Sequence, residues 1–130
     1  MAQNDSVMVF IRHDRRILLL RPTGADTAPW DGLCRQRDGA SAAQAYAMID
    51  EALGLTRDDV GPPIQGDSLY VGQPGRDGYR CLQPILFDLH DAGRLALDRT
   101  RVERRWAWPA EIDQLDTTPG LADALHRVYV

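Results

Sequence analysis

The 130-residue sequence predicts an α/β domain, and three observations carry that prediction. Short apolar segments rich in branched residues recur along the chain and read as strands. One alanine-rich segment instead places its apolar residues three and four apart, the spacing of a helix with one buried face. A last segment, after Pro119, does the same with Leu121, Ala124, Leu125 and Val128. No linker, repeat or low-complexity tract interrupts residues 1–130, so the chain reads as a single domain large enough to bury its own core.

Residues 7–11 and 17–20 are apolar and paired by the polar turn His13-Asp14-Arg15, which predicts a hairpin. Residues 22–29 hold Gly24, Asp26, Thr27 and two prolines and read as a loop leading to Trp30. Ser41 is the expected N-cap of a helix that buries Ala45, Met48, Ile49, Ala52 and Leu53, with Gly54 closing it. Residues 68–71 and 81–89 are expected strands, joined by a Gly/Pro-rich loop, 72–78, that overhangs a pocket. Residues 102–108 are the next strand, Pro109 opens a helical turn through Ile112, and the terminal helix packs its apolar face on the sheet.

Composition excludes several function classes. All 15 basic residues are Arg, the acids are mostly Asp, and the formal net charge is only −4. Without a cationic patch the chain is a poor match for nucleic acid, whose binding depends on clustered positive charge. No apolar run is long enough to span a bilayer, and nothing at the start reads as a signal peptide, so no membrane is expected and the expected location is cytoplasmic. Cys34 and Cys81 have neither CxxC nor zinc spacing and read as reduced thiols.

The functional clue lies between Trp30 and Leu55: Trp30-Asp31-Gly32-Leu33, Asp38-Gly39-Ala40-Ser41, then Ile49-Asp50-Glu51-Ala52-Leu53-Gly54-Leu55. This stretch resembles an eroded Nudix box, the signature of the Nudix hydrolase superfamily. Anchored on Gly54-Leu55, the resemblance puts Glu51 and Ala52 on the paired glutamates, Ala47 and Met48 on the Arg-Glu pair, and Gly39-Ala40 on the upstream Gly-Glu. Leu18-Leu19-Leu20-Arg21 is similar to the end of the family's second strand. Glu103-Arg104-Arg105-Trp106, followed by Pro109-Ala110-Glu111-Ile112, is similar to a late family segment. Over essentially the whole chain the resemblance implies a Nudix-type alpha/beta/alpha sandwich with a mixed sheet.

It also implies a chemistry: hydrolysis of a nucleoside-diphosphate-linked small molecule, with Mg2+ or Mn2+ neutralising phosphate charge and activating water. Hard cations take oxygen ligands, which the family supplies from one helix face. Here that face keeps Glu51 as catalytic group and metal ligand, or as a surface glutamate. Asp50, about 100 degrees around the helix from it, is a further metal candidate or a solvated acid. Glu103 is a catalytic candidate from another wall, or the salt-bridge partner of nearby arginines. Arg21, Arg35 and Arg37 are candidate diphosphate contacts, since guanidinium forks suit phosphate oxygens. Trp30 is a stacking or pocket-wall residue.

Two functions follow. One is a Nudix-family hydrolase slowed by its degenerate box. The alternative is a catalytically silent Nudix domain that binds a nucleotide-like ligand or a protein partner and needs no metal cofactor. The expected partner is a nucleotide-like small molecule, and family analogy extends to a homodimer.

Overall fold

A computed structural model describes residues 5–24, 26–72, 78–96 and 101–129. The first hairpin joins β1 (Asp5–His13) to β2 (Arg16–Pro22). Its two-residue turn, Asp14-Arg15, takes the left-handed conformation at both positions (φ 52° and 67°), which matches the twist of the flanking strands. β3 (Leu33–Gln36), α1 (Ser41–Leu53), β4 (Ile64–Gln65), β5 (Leu69–Gly72), β6 (Tyr79–Asp88), β7 (Val102–Ala107), α2 (Pro109–Ile112) and α3 (Leu121–Val128) follow.

These strands make one mixed sheet with the path β4-β6-β1-β2-β7. β1 lies parallel to β6 along its length, while its other edge divides. The first half pairs with β3, and the last residues pair with β2. β6 divides in the same way between β5 and β4.

Alternation along β1 builds two cores. Val7, Val9 and Ile11 face α1 and meet Met48, Ile49 and Leu53, whereas Met8 and Phe10 face α3 and meet Leu121, Ala124, Leu125 and Val128. The sheet is therefore covered on both faces, and the alpha/beta/alpha sandwich with a mixed sheet is the observed architecture. No helix among the described residues is long and apolar enough to cross a membrane.

Several local expectations change. The N-cap of α1 is Ala40, without a side-chain cap bond, and Ser41 is buried as the first helical residue. Gly54 does close the helix, in the left-handed conformation (φ 67°). Arg35 lies in β3, a strand not among those expected, because Leu33 and Arg35 pair with Val9 and Val7 of β1. β4 was not expected either; its two residues are too short a run to show a period. Of the loop 72–78 expected to overhang a pocket, residues 73–77 lie outside the described residues.

Candidate functional site

The positions that the box resemblance assigns to carboxylates can be followed one by one. Met48 is 1% exposed and packed inside the α1 core. Ala52 also leans on that core, and Ala40 caps the helix. Only Glu51 offers an acid, and it is already engaged: Arg35 Nη1 donates to Glu51 Oε2, an ion pair between β3 and α1 with both side chains about half exposed.

Asp50 does not join Glu51. It is exposed and lines a separate cleft of about 280 Å³ with Tyr46, Ala47, Leu55, Thr56 and Arg57. Arg37 stands exposed beyond β3, its Nε 3.5 Å from the Gly39 carbonyl oxygen.

Arg21, Trp30 and Glu103 form a second group. Register pairs Arg21 with Glu103 across β2 and β7, and Arg21 Nε donates to Glu103 Oε2 at 2.6 Å. The same guanidinium lies 4.2 Å from the centroid of the Trp30 ring. Leu19, two residues before Arg21, belongs to the α3 core, and Trp30 packs against that core too. Strand alternation thus sends Glu103 to the α3 side of the sheet, opposite the α1 side that carries Glu51. The two acids do not face one cation.

Glu111, the remaining glutamate of the chain, accepts from Arg105 Nη2 at 2.9 Å. All three glutamates are therefore held by arginines. Among the described residues no group of three His, Cys, Asp or Glu side chains is placed to hold a metal ion. The described residues do not fit the magnesium centre that the box implies.

One polar group was missed by sequence reading. Asp31 is half-buried where the chain enters β3; its Oδ1 accepts from Gly32 N–H at 2.8 Å and from Thr118 Oγ1 at 2.9 Å. Burial raises its pKa, against the lowering effect of those hydrogen bonds and of Arg80. Burial also pushes the neighbouring Cys34 thiol up, with Arg80 opposing and Asp31 reinforcing the shift. Asp31, Cys34, Arg80 and Thr118 are thus interacting neighbours, next to Trp30 in the fold. Thr118 is 87 residues away in sequence, and no local pattern announces it.

The sign of the Asp31 shift gives a test. A carboxyl whose folded pKa lies above its ordinary value of 3.8 holds its proton more tightly in the folded state. Stability from this group is then complete below that value and falls as pH rises through the raised pKa. Asp31→Asn keeps an oxygen for Gly32 and Thr118. It should melt higher than the wild type at pH 7, with the difference vanishing near pH 4; an equal difference at both would show that burial does not set the state of Asp31.

A cavity of about 350 Å³ lies at the far end of β1, lined by Arg12, His13, Arg15, Asp88 and Tyr129 among others. Arg12 and Asp88 pair across it at 2.5 and 2.9 Å, which holds the aspartate below the usual carboxylate range. It belongs to neither group described above.

No protein-family model and no curated protein sequence matches the chain. Solved structures do. An Ap4A hydrolase binary complex from C. elegans superposes with a TM-score of 0.69 at 14% identity, over 95% of this chain and 93% of that one. The E. coli dihydroneopterin triphosphate pyrophosphohydrolase gives 0.71 at 14%, over 97% and 94%. The NUDIX domain of Shewanella oneidensis NrtR, complexed with ADP ribose, gives 0.67 at 11%, over 98% and 86%. At such identities the likeness establishes the fold: the chain has the Nudix fold.

Proposed function

We propose that this Nudix-fold chain binds a nucleotide-like diphosphate ligand, and that guanidinium groups meet the diphosphate where the box would place a carboxylate-held metal. The observation that carries this reading is the Arg35–Glu51 pair. The one acid left at a box position is neutralised by an arginine, and Arg37 stands two residues further on. Guanidinium forks match diphosphate oxygens, and an incoming diphosphate competes with Glu51 for Arg35. The fold shared with proteins named for Ap4A, dihydroneopterin triphosphate and ADP ribose supports the ligand class.

Slow hydrolysis is the second reading, and the same pair favours it. A diphosphate that takes Arg35 frees the Glu51 carboxylate to accept a proton from an attacking water. Without a metal that both generates the nucleophile and neutralises charge, such turnover is slow by orders of magnitude.

Titration calorimetry with ADP, with and without Mg2+, tests the proposal, followed by a phosphate-release assay. ADP should bind without metal, Mg2+ should leave the affinity nearly unchanged, and Arg35→Ala should weaken it roughly tenfold or more. Binding that requires Mg2+, or no binding at all, would sink the reading. Release above the buffer rate that disappears in Glu51→Gln would establish the second reading.

A further inference from the structure

Among the described residues four aromatic rings carry an arginine: Arg21 over Trp30, Arg16 over Trp108, Arg57 over Tyr46 and Arg12 over Tyr129. Trp106 meets the His13 ring, and Phe10 and Phe87 are core residues. Tyr70 and Tyr79 break the pattern. They are 77% and 67% exposed, and among the described residues neither ring has an aromatic or cationic partner.

The register places both on one face. Tyr70 pairs with Cys81, and Gly72 pairs with Tyr79, so the two tyrosines are diagonal cross-strand neighbours on the β5–β6 arm. Gly72 offers no side chain opposite Tyr79, whose ring passes close enough that a Cβ there would stand 3.9 Å from Cε1. Cys81 and Gln83 continue this face, Gln83 lies level with Val7 of β1, and Val7 lies level with Arg35 of β3. Val7 belongs to the α1 core, so Tyr70, Tyr79, Arg35 and Glu51 share one side of the sheet. From strand spacing and rise, each tyrosine Cα stands roughly 16 Å from that of Arg35. Two long side chains shorten this to a gap that a nucleoside diphosphate spans.

We infer that Tyr70 and Tyr79 form a stacking platform for the aromatic base of the ligand, with its diphosphate at Arg35. This rests on the diphosphate reading above and deepens it: the ligand is a nucleotide proper, read through the π-face of its base. Stacking on exposed tyrosines is tolerant of base identity, because every base has such a face. The site therefore selects for an aromatic group and selects little among purines and pyrimidines.

Affinities for ADP and for inorganic pyrophosphate, measured on the wild type, Tyr70→Ala, Tyr79→Ala, the two Phe variants and Arg35→Ala, separate the two claims. Each alanine variant should weaken ADP roughly tenfold. Pyrophosphate affinity and the melting temperature should not change, and the Phe variants should bind ADP like the wild type. Arg35→Ala should weaken both probes. If pyrophosphate and ADP bind through Arg35 but the tyrosine variants bind ADP normally, the platform is refuted and the diphosphate reading stands. If neither probe binds the wild type, the diphosphate reading fails and the platform fails with it. Loss of ADP in the tyrosine variants, with no effect of Arg35→Ala, supports the platform and overturns the placement of the diphosphate.

Discussion

Met48→Glu, which would restore a carboxylate at a position the Nudix box gives to glutamate, should cost the fold upwards of about 4 kcal/mol. Met48 is 1% exposed among Val7, Val9, Ile85 and Phe87, with no arginine among the described residues of that core to pair a new acid. An isolated carboxylate there either stays charged without solvent or takes up a proton, and both weaken the folded state. Met48→Leu, a volume-conserving change, should cost less than about 1.5 kcal/mol. Ala52→Glu, at the partly exposed neighbouring position, should be tolerated. Urea midpoints of the three variants check this. A Met48→Glu protein as stable as the wild type would mean that a hydrated space lies behind the helix, and the account of a packed-out metal position would fall. In this chain the thioether of Met48 fills the core at a position where a metal site would need a hydrophilic group.

The same contrast explains how much could be read from the chain. The β1–β2 hairpin was legible as two continuous apolar runs divided by a polar turn, α1 and α3 because their burial repeats at three to four residues within one segment, and Gly54 marks the end of α1. β3 was not: Leu33-Cys34-Arg35-Gln36 is four residues, and it is a strand because β1 offers it half an edge. The candidate residues Glu51 and Arg35 were nameable one at a time, but their pairing joins a strand to a helix and needed coordinates. Glu103 shows the limit most clearly. Its neighbours Arg104 and Arg105 made a local salt bridge plausible, whereas register across β2 and β7 gives it Arg21, 82 residues away, and turns it to the α3 side. Tyr70 and Tyr79 drew no attention in the sequence because β propensity accounts for a tyrosine in a strand, and only the uncovered face makes them unusual.

Gly120→Ala carries the second large effect, about 2 to 4 kcal/mol, and it acts on the far side of the sheet. Gly120 precedes α3 at φ +86°, a conformation that costs an L-residue energy, and a Cβ there would stand 2.5 Å from Cγ2 of Val71 and 3.2 Å from Cδ1 of Leu82. The backbone turns there because nothing projects, which lets the start of α3 close onto β5 and β6. Two residues earlier, Thr118 bonds Asp31, and its N–H donates to the Trp30 carbonyl oxygen. A shifted α3 start therefore loosens the bonds that Thr118 makes to Asp31 and Trp30 as well as the core. The two contributions can be separated: Val71→Ala in the Gly120→Ala background removes the closest contact and should recover part of the lost stability, leaving the backbone cost. Recovery of nothing would mean that backbone conformation alone sets the requirement for glycine. Full recovery would mean that packing alone does.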